Sequence, residues 1–174
     1  FAGGINEEWN HDKIIKALEN IDGVKYILAG TGTKQYIDFL RSLPGWNKVN
    51  YVGKVPHEEV KNIYAQSIAG IALNYSNQAK NEGTLGNTKL FEFMEAGLPV
   101  ICSNYRLWKE IVEENNCGIC IEPNNIEEIK NAINYIINNP EEARIMGENG
   151  RKAVIEKYNW KTQEEILLKL YAKL

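Results

Sequence analysis

Aspartate is scarce in this sequence: Asp12, Asp22 and Asp38 are the three that occur among 174 residues, and no two form a D-x-D pair. Such a pair is a common way of holding a divalent metal against a diphosphate. No metal-ligand set is therefore expected, and a diphosphate would have to be met by lysine, helix dipole and backbone N–H groups. Cysteine is equally sparse. Cys102, Cys117 and Cys120 are too few and odd in number for a secreted disulfide framework, which points to a reducing cytoplasm. Cys117-Gly118-Ile119-Cys120 spells C-x-x-C, but it lies in an apolar run rather than at a helix start, and no second C-x-x-C or paired histidine completes a zinc shell. A structural role is expected for these thiols. No apolar run approaches the roughly 18 to 20 residues that cross a bilayer, and the first residues, Phe1-Ala2-Gly3-Gly4, have no signal-peptide pattern. Charge of one sign is also missing. A net charge of -3 with 25% charged residues gives no general attraction for nucleic acid or anionic lipid, and the absence of G-x-S-x-G removes a hydrolase nucleophile elbow.

What is present is an alternation of short apolar runs with longer segments of helical period. Strands are predicted over residues 1–4, 26–29, 49–52, 68–73, 100–103 and 118–121. Helices are predicted between them over 13–21, 35–43, 57–66, 88–96 and 107–112, and then over 126–138, 141–158 and 162–174. This is the pattern of a doubly wound α/β domain: a parallel six-stranded, Rossmann-like sheet with extra C-terminal helices. In the last helix Ile166, Leu167, Leu170, Tyr171 and Leu174 form an apolar stripe that must pack on something. The chain opens directly into a strand without Met, which reads as a piece cut from a longer protein.

In doubly wound sheets ligands sit outside the carboxyl ends of the strands. The longest aperiodic stretch, residues 74–87, lies between a strand and the next helix and ends in Gly83-Thr84-Leu85-Gly86-Asn87. Glycines there let backbone approach a ligand, and the helix that begins at Asn87 or Thr88 offers free N–H groups to a diphosphate. Lys89 sits in the first turn, where a cation opposes the dipole unless an anion is bound nearby. Glu92, three residues on, shares its helix face. Glu92 takes no part in a capping box, since the third positions after Asn87 and Thr88 are Leu90 and Phe91. It is expected to be free for a ligand, where a nucleotide ribose would fall. The competing reading is an ordinary solvated i, i+3 pair worth about 0.2 to 0.5 kcal/mol. Gly30-Thr31-Gly32 follows the second strand, but Gln35 stands where a dinucleotide fingerprint needs its third glycine. It supports a close backbone turn, not a nicotinamide cofactor. Val55 and His57 lie in a third loop at the same edge, His57 as a cap or surface residue. His11, in the first loop, either meets a phosphate or merely precedes a helix.

The run Lys89-Leu90-Phe91-Glu92-Phe93-Met94-Glu95-Ala96-Gly97-Leu98-Pro99-Val100-Ile101 resembles the donor-site motif of group 1, family 4 glycosyltransferases. Cys117-Gly118-Ile119, Glu122-Pro123, Met146-Gly147-Glu148-Asn149-Gly150-Arg151 and Tyr158-Asn159-Trp160 resemble later family landmarks in the right order. The resemblance covers essentially the whole chain. It implies the C-terminal, donor-binding domain of a two-domain GT-B enzyme, with the N-terminal acceptor domain lying outside this sequence. The implied reaction is retaining transfer of a sugar from a nucleoside diphosphate sugar to a glycan or lipid-linked acceptor, with no separate cofactor. The parent is expected to be cytoplasmic, with peripheral placement at the inner face of a membrane through the other domain. By the same resemblance Glu92 binds the donor ribose, Leu85, Gly86, Asn87 and Thr88 approach the diphosphate and sugar, Gly30 and Gly32 line the nucleotide cleft, and Val55 lies near the base.

Two departures stand out. The family's carboxylate pair has seven residues between its members, which would put the partner of Glu92 at Thr84; Glu82, two places early, is the remaining candidate for the catalytic carboxylate. The basic pair that follows the first strand is also altered, because residues 6–13 contain no Arg. Lys89, with Lys13 or His11, is left to supply that charge. The rival from another class is a non-catalytic module that binds a nucleotide or sugar nucleotide. An unrelated neighbouring domain in the full-length protein would favour it, and a second Rossmann-like domain would favour the enzyme.

Overall fold

The computed structural model describes residues 1–75 and 82–172. Residues 76–81 of the long loop, Leu174, and the side chains of Ile166 and Leu170 lie outside the described residues. Among the described residues there are six parallel strands: β1 Ala2–Ile5, β2 Tyr26–Gly32, β3 Val49–Gly53, β4 Gly70–Ala72, β5 Val100–Ser103 and β6 Gly118–Ile121. Eight helices accompany them among the described residues: α1 His11–Leu18, α2 Lys34–Arg41, α3 His57–Ala65, α4 Thr88–Glu95, α5 Arg106–Glu114, α6 Ile126–Asn138, α7 Pro140–Glu156 and α8 Trp160–Tyr171. The strands hydrogen-bond as two ladders of three, β1-β2-β3 and β4-β5-β6.

The ladders share two cores, one on each face. Phe1, Ile5 and Leu28 from the first ladder join Leu73, Ile101 and Ile121 from the second under α1, α2 and α6. Ala2 and Ala29 join Ala72, Val100 and Cys102 under α3, α4, α5 and α7. Period-2 alternation along each strand sends neighbouring residues to opposite layers, and this gives the doubly wound arrangement. A hydrogen bond from the Tyr75 amide to the Glu8 carbonyl ties the exits of β4 and β1.

The placement of α4 matters most for function. It buries Leu90, Phe93 and Met94, and a side chain at Gly70 in β4 would overlap the ring of Phe93. Glycine there lets α4 sit down on the sheet. Its end is closed by Gly97, at φ 74°, with the Leu98 amide donating to the Phe93 carbonyl at 3.0 Å, a glycine C-cap of the Schellman kind. α7 packs against the same helix. A side chain at Gly147 would overlap the Gly97 carbonyl, and Gly150 faces Met94. The glycines of the 146–151 landmark thus serve close helix packing. Phe91 stacks on Tyr158 with centroids 5.3 Å apart. Of the expected apolar stripe on α8, Leu167 and Tyr171 are exposed. No described helix is long and apolar enough to cross a membrane.

Candidate functional site

The start of α4 lies at the carboxyl end of β4. Asn87 is its N-cap and accepts from the Lys89 amide at 3.2 Å, while Thr84 Oγ1 accepts from the Gly86 amide at 3.1 Å. The loop is anchored from behind by α5. The buried Trp108 donates its indole N–H to the Thr84 carbonyl at 2.9 Å, and the Leu107 amide donates to the Glu82 carbonyl at 3.0 Å. Gly83, at φ 77°, turns the chain there, where a Cβ would lie 2.9 Å from Tyr105 Cβ. Leu85 and Gly86 are exposed, as is Thr88.

Glu92 is neither free nor simply solvated, and the expectation of an unengaged carboxylate is corrected here. Its Oε1 accepts from Thr88 Oγ1 at 2.9 Å and Lys89 Nζ at 3.0 Å; its Oε2 accepts from Tyr64 Oη at 3.0 Å and Lys89 Nζ at 2.8 Å. The Lys89 side chain is 19% exposed and that of Glu92 34%. Burial pushes the Glu92 carboxyl up, but the bonds from Lys89, Thr88 and Tyr64 and the ammonium charge outweigh it and hold the group below its usual range. Burial, then the neighbouring carboxylate, push the Tyr64 phenol far above its usual value, so it remains a donor. Tyr64 went unnoticed in the sequence because it meets Glu92 across 28 residues, from a position on α3 that reads as ordinary core.

The other candidates divide. Lys89 passes β1, its Cε 3.0 Å from where a Cβ on Gly3 would be, and Gly3 pairs with Gly30 in the β1–β2 register. Gly30 is therefore one strand from Lys89. The need for glycine at Gly30 and Gly32 is nonetheless structural: a Cβ at either would overlap a carbonyl oxygen of β1, Gly3 or Ile5 respectively. Val55 is half-buried against the second core, and His57 is the exposed first residue of α3. Glu82 turns its carboxylate to Arg106, 2.8 Å from Nε and 2.7 Å from Nη2, and Arg106 also holds Glu110 at 2.8 Å. Lys13 pairs with Asp12 at 2.7 Å. Cys102 and Cys120 are register partners with sulfurs 3.7 Å apart, and all three cysteines are free thiols. Among the described residues no group of three His, Cys, Asp or Glu side chains is placed to hold a metal.

His11 is a correction. Its side chain is fully buried, edge-on to Phe1 with centroids 4.8 Å apart, and its Nδ1 is 3.0 Å from Tyr26 Oη. A diphosphate cannot reach it there, because the first turn of α1 directs residue 11 into the core with Ile14 and Ile15. Burial pushes its pKa down to about 3 from 6.5. A group with a lowered folded-state pKa contributes stability present above 6.5 and lost progressively as pH falls toward 3. Between pH 7 and pH 5 wild type should therefore lose about 2 kcal/mol more than His11→Phe in urea unfolding. Equal losses would show that His11 is protonated in the folded state.

A cavity of about 520 Å³ lies elsewhere, lined by Leu18, Tyr26, Ile68, Ile71, Ile133 and Ile136 near the amino ends of β2 and β4. Ligands of open α/β sheets bind at the opposite edge, where the Glu92 cluster is.

Residues 1–153 match the family model for glycosyl transferases group 1. An uncharacterized glycosyltransferase of Methanocaldococcus jannaschii is 28% identical over the whole chain, which spans 44% of that relative's length. Among solved structures, HepE of Anabaena in complex with UDP and glucose superposes with TM-score 0.85 at 18% identity, over 99% of this chain and 47% of that one. Sucrose-phosphate synthase of Thermosynechococcus elongatus does so with TM-score 0.79 at 22% identity, over 97% of this chain and 44% of that one. The chain thus spans less than half the length of these proteins. The match runs from β1 into α7 and includes the whole Lys89–Glu92 cluster: this chain belongs to the group 1 glycosyl transferases.

Proposed function

We propose that this chain binds the nucleoside diphosphate sugar donor of a retaining glycosyl transfer, and that the parent protein passes the sugar to a glycan or lipid-linked acceptor held mainly by a further domain. The observation that carries the reading is the Glu92 carboxylate. It stands one turn inside the helix that follows β4, ionised and oriented by Tyr64 and Thr88, at the depth where a ribose falls when a diphosphate meets the helix start. UDP and glucose bound to the structurally similar HepE support the same ligand class.

In this reading Glu92 accepts from the ribose hydroxyls. The amides from Leu85 to Thr88 and the Lys89 ammonium face the diphosphate, with Gly30, Gly32 and Val55 around the nucleotide. In the transfer, the bond from the anomeric carbon to the phosphate oxygen breaks and a bond to an acceptor oxygen forms on the same face, the acceptor's proton passing to the departing diphosphate. Negative charge grows on the departing diphosphate. Lys89 and the α4 dipole stabilise it, so the reaction proceeds without a metal. The parent works in the cytoplasm, at the inner face of a membrane where its acceptor is lipid-linked. Glu82 carries no step here, because Arg106 holds its carboxylate. That same pair is the observation favouring a non-catalytic nucleotide-binding module.

Calorimetric titration of the 174-residue chain with a panel of nucleoside diphosphates and NAD tests the proposal. At least one diphosphate should bind while NAD does not. Failure of every diphosphate at millimolar concentration would overturn it.

A further inference from the structure

The four hydrogen bonds on Glu92 have a stoichiometry that identifies which of them can be exchanged. An ionised carboxylate offers roughly four lone-pair sites, and here all four are taken. Thr88 holds one on Oε1, Tyr64 holds one on Oε2, and Lys89 Nζ bridges the two oxygens at 3.0 and 2.8 Å. Tyr64 is fixed, since its side chain is buried and its ring packs against Phe93 with centroids 5.2 Å apart. Thr88 lies four residues before Glu92 on the same helix face, and its short β-branched side chain has few rotamers. Lys89 differs on both counts: its stem is flexible, and its charge stands in the first turn of a helix, where an anion would draw it away from the carboxylate.

We propose that Lys89 is the residue that makes the site select ligands carrying a vicinal diol and a phosphate together. Its ammonium occupies one site on each carboxylate oxygen, the two sites that a cis-diol would use. A ligand with the diol alone must displace the lysine and leave its charge without a partner. A ligand with a diphosphate as well supplies the partner that takes the lysine over. Tyr64 and Thr88 are positioning residues that keep the carboxylate aimed throughout. This inference rests on Glu92 as the ribose acceptor but goes further, because it assigns Lys89 opposite effects on two ligands.

The test is a titration of the 174-residue chain, followed by NMR, with a ribonucleoside, the matching nucleoside diphosphate and the 2′-deoxy counterpart of each. Lys89→Met keeps the apolar stem and removes the charge. It should weaken the diphosphate by roughly tenfold or more and tighten the ribonucleoside by roughly two- to fivefold, the amount a partly exposed ion pair contributes. The 2′-deoxynucleoside should not tighten. Lys89→Gln, checked alongside by circular dichroism, should shift both affinities in the same directions. Tyr64→Phe should instead weaken ribonucleoside and diphosphate together, with the salt dependence unchanged. If the ribonucleoside binds Lys89→Met no better than wild type, or not detectably, Lys89 is no competitor of the diol. If wild type shows no preference for ribose over deoxyribose in the diphosphate series, the Glu92 assignment itself fails and takes this inference with it.

Discussion

Replacing Glu92 by Gln should lower the affinity for a nucleoside diphosphate by on the order of tenfold to a hundredfold, the range of a hydrogen bond to a charged group. Gln keeps the volume and one acceptor, so α4 should stay packed through Leu90, Phe93 and Met94, all buried on its other face. The loss should extend to the unphosphorylated nucleoside, because both ligands carry the ribose. That separates Glu92 from Lys89, whose removal should weaken the diphosphate but tighten the nucleoside. Calorimetry beside circular dichroism reads both quantities. An unchanged affinity in a folded variant would reduce Glu92 to a structural ion-pair partner of Lys89 and Tyr64.

The second large effect concerns stability. Gly30 sits at φ 135°, outside the range that side chains adopt readily, and a Cβ there would overlap the carbonyl oxygen of Gly3 on the paired strand. Gly30→Ala combines an unfavourable backbone conformation, about 1 to 3 kcal/mol, with overpacking against main chain that cannot swing aside, about 1 to 3 kcal/mol more. A loss of roughly 3 kcal/mol or more is expected, a large share of the 5 to 15 kcal/mol typical of a domain. Gly23→Ala is the control. Gly23 also has positive φ, 76°, but a Cβ there meets nothing within 4 Å, so its cost should be about 1 kcal/mol. Urea midpoints for the two variants separate clash from conformation. Equal midpoints would mean that β1 and β2 do not need glycine for their approach.

These two residues mark what could be read from the sequence and what could not. The spans of β5, β6 and α6 follow from local pattern and agree to the residue, because a continuous apolar run and an Asn125 cap leave little choice of boundary. The start of α4 and the shared face of Lys89 and Glu92 follow from helical spacing in the same way. Contacts that depend on tertiary approach were invisible. Tyr64 meets Glu92 from another helix, and Arg106 captures Glu82 across 24 residues. The sequence also could not show that Gly30 and Gly32 are required by the close approach of the neighbouring strand. His11 was expected either to meet a phosphate or merely to precede a helix, but it is the first residue of an amphipathic helix whose buried face it joins. Its imidazole is buried with one nitrogen bonded to Tyr26 and Nε2 without a partner among the described residues.

On the proposed reading a nucleotide is held at the Glu92 cluster. The most direct measurement is a crystal structure of this chain with a nucleoside diphosphate bound. The two ribose hydroxyls should lie on Oε1 and Oε2 of Glu92, with Tyr64 and Thr88 still bonded to the same oxygens and Lys89 moved onto the diphosphate at the start of α4. A nucleotide bound elsewhere, with the Lys89–Glu92 pair intact, would contradict it.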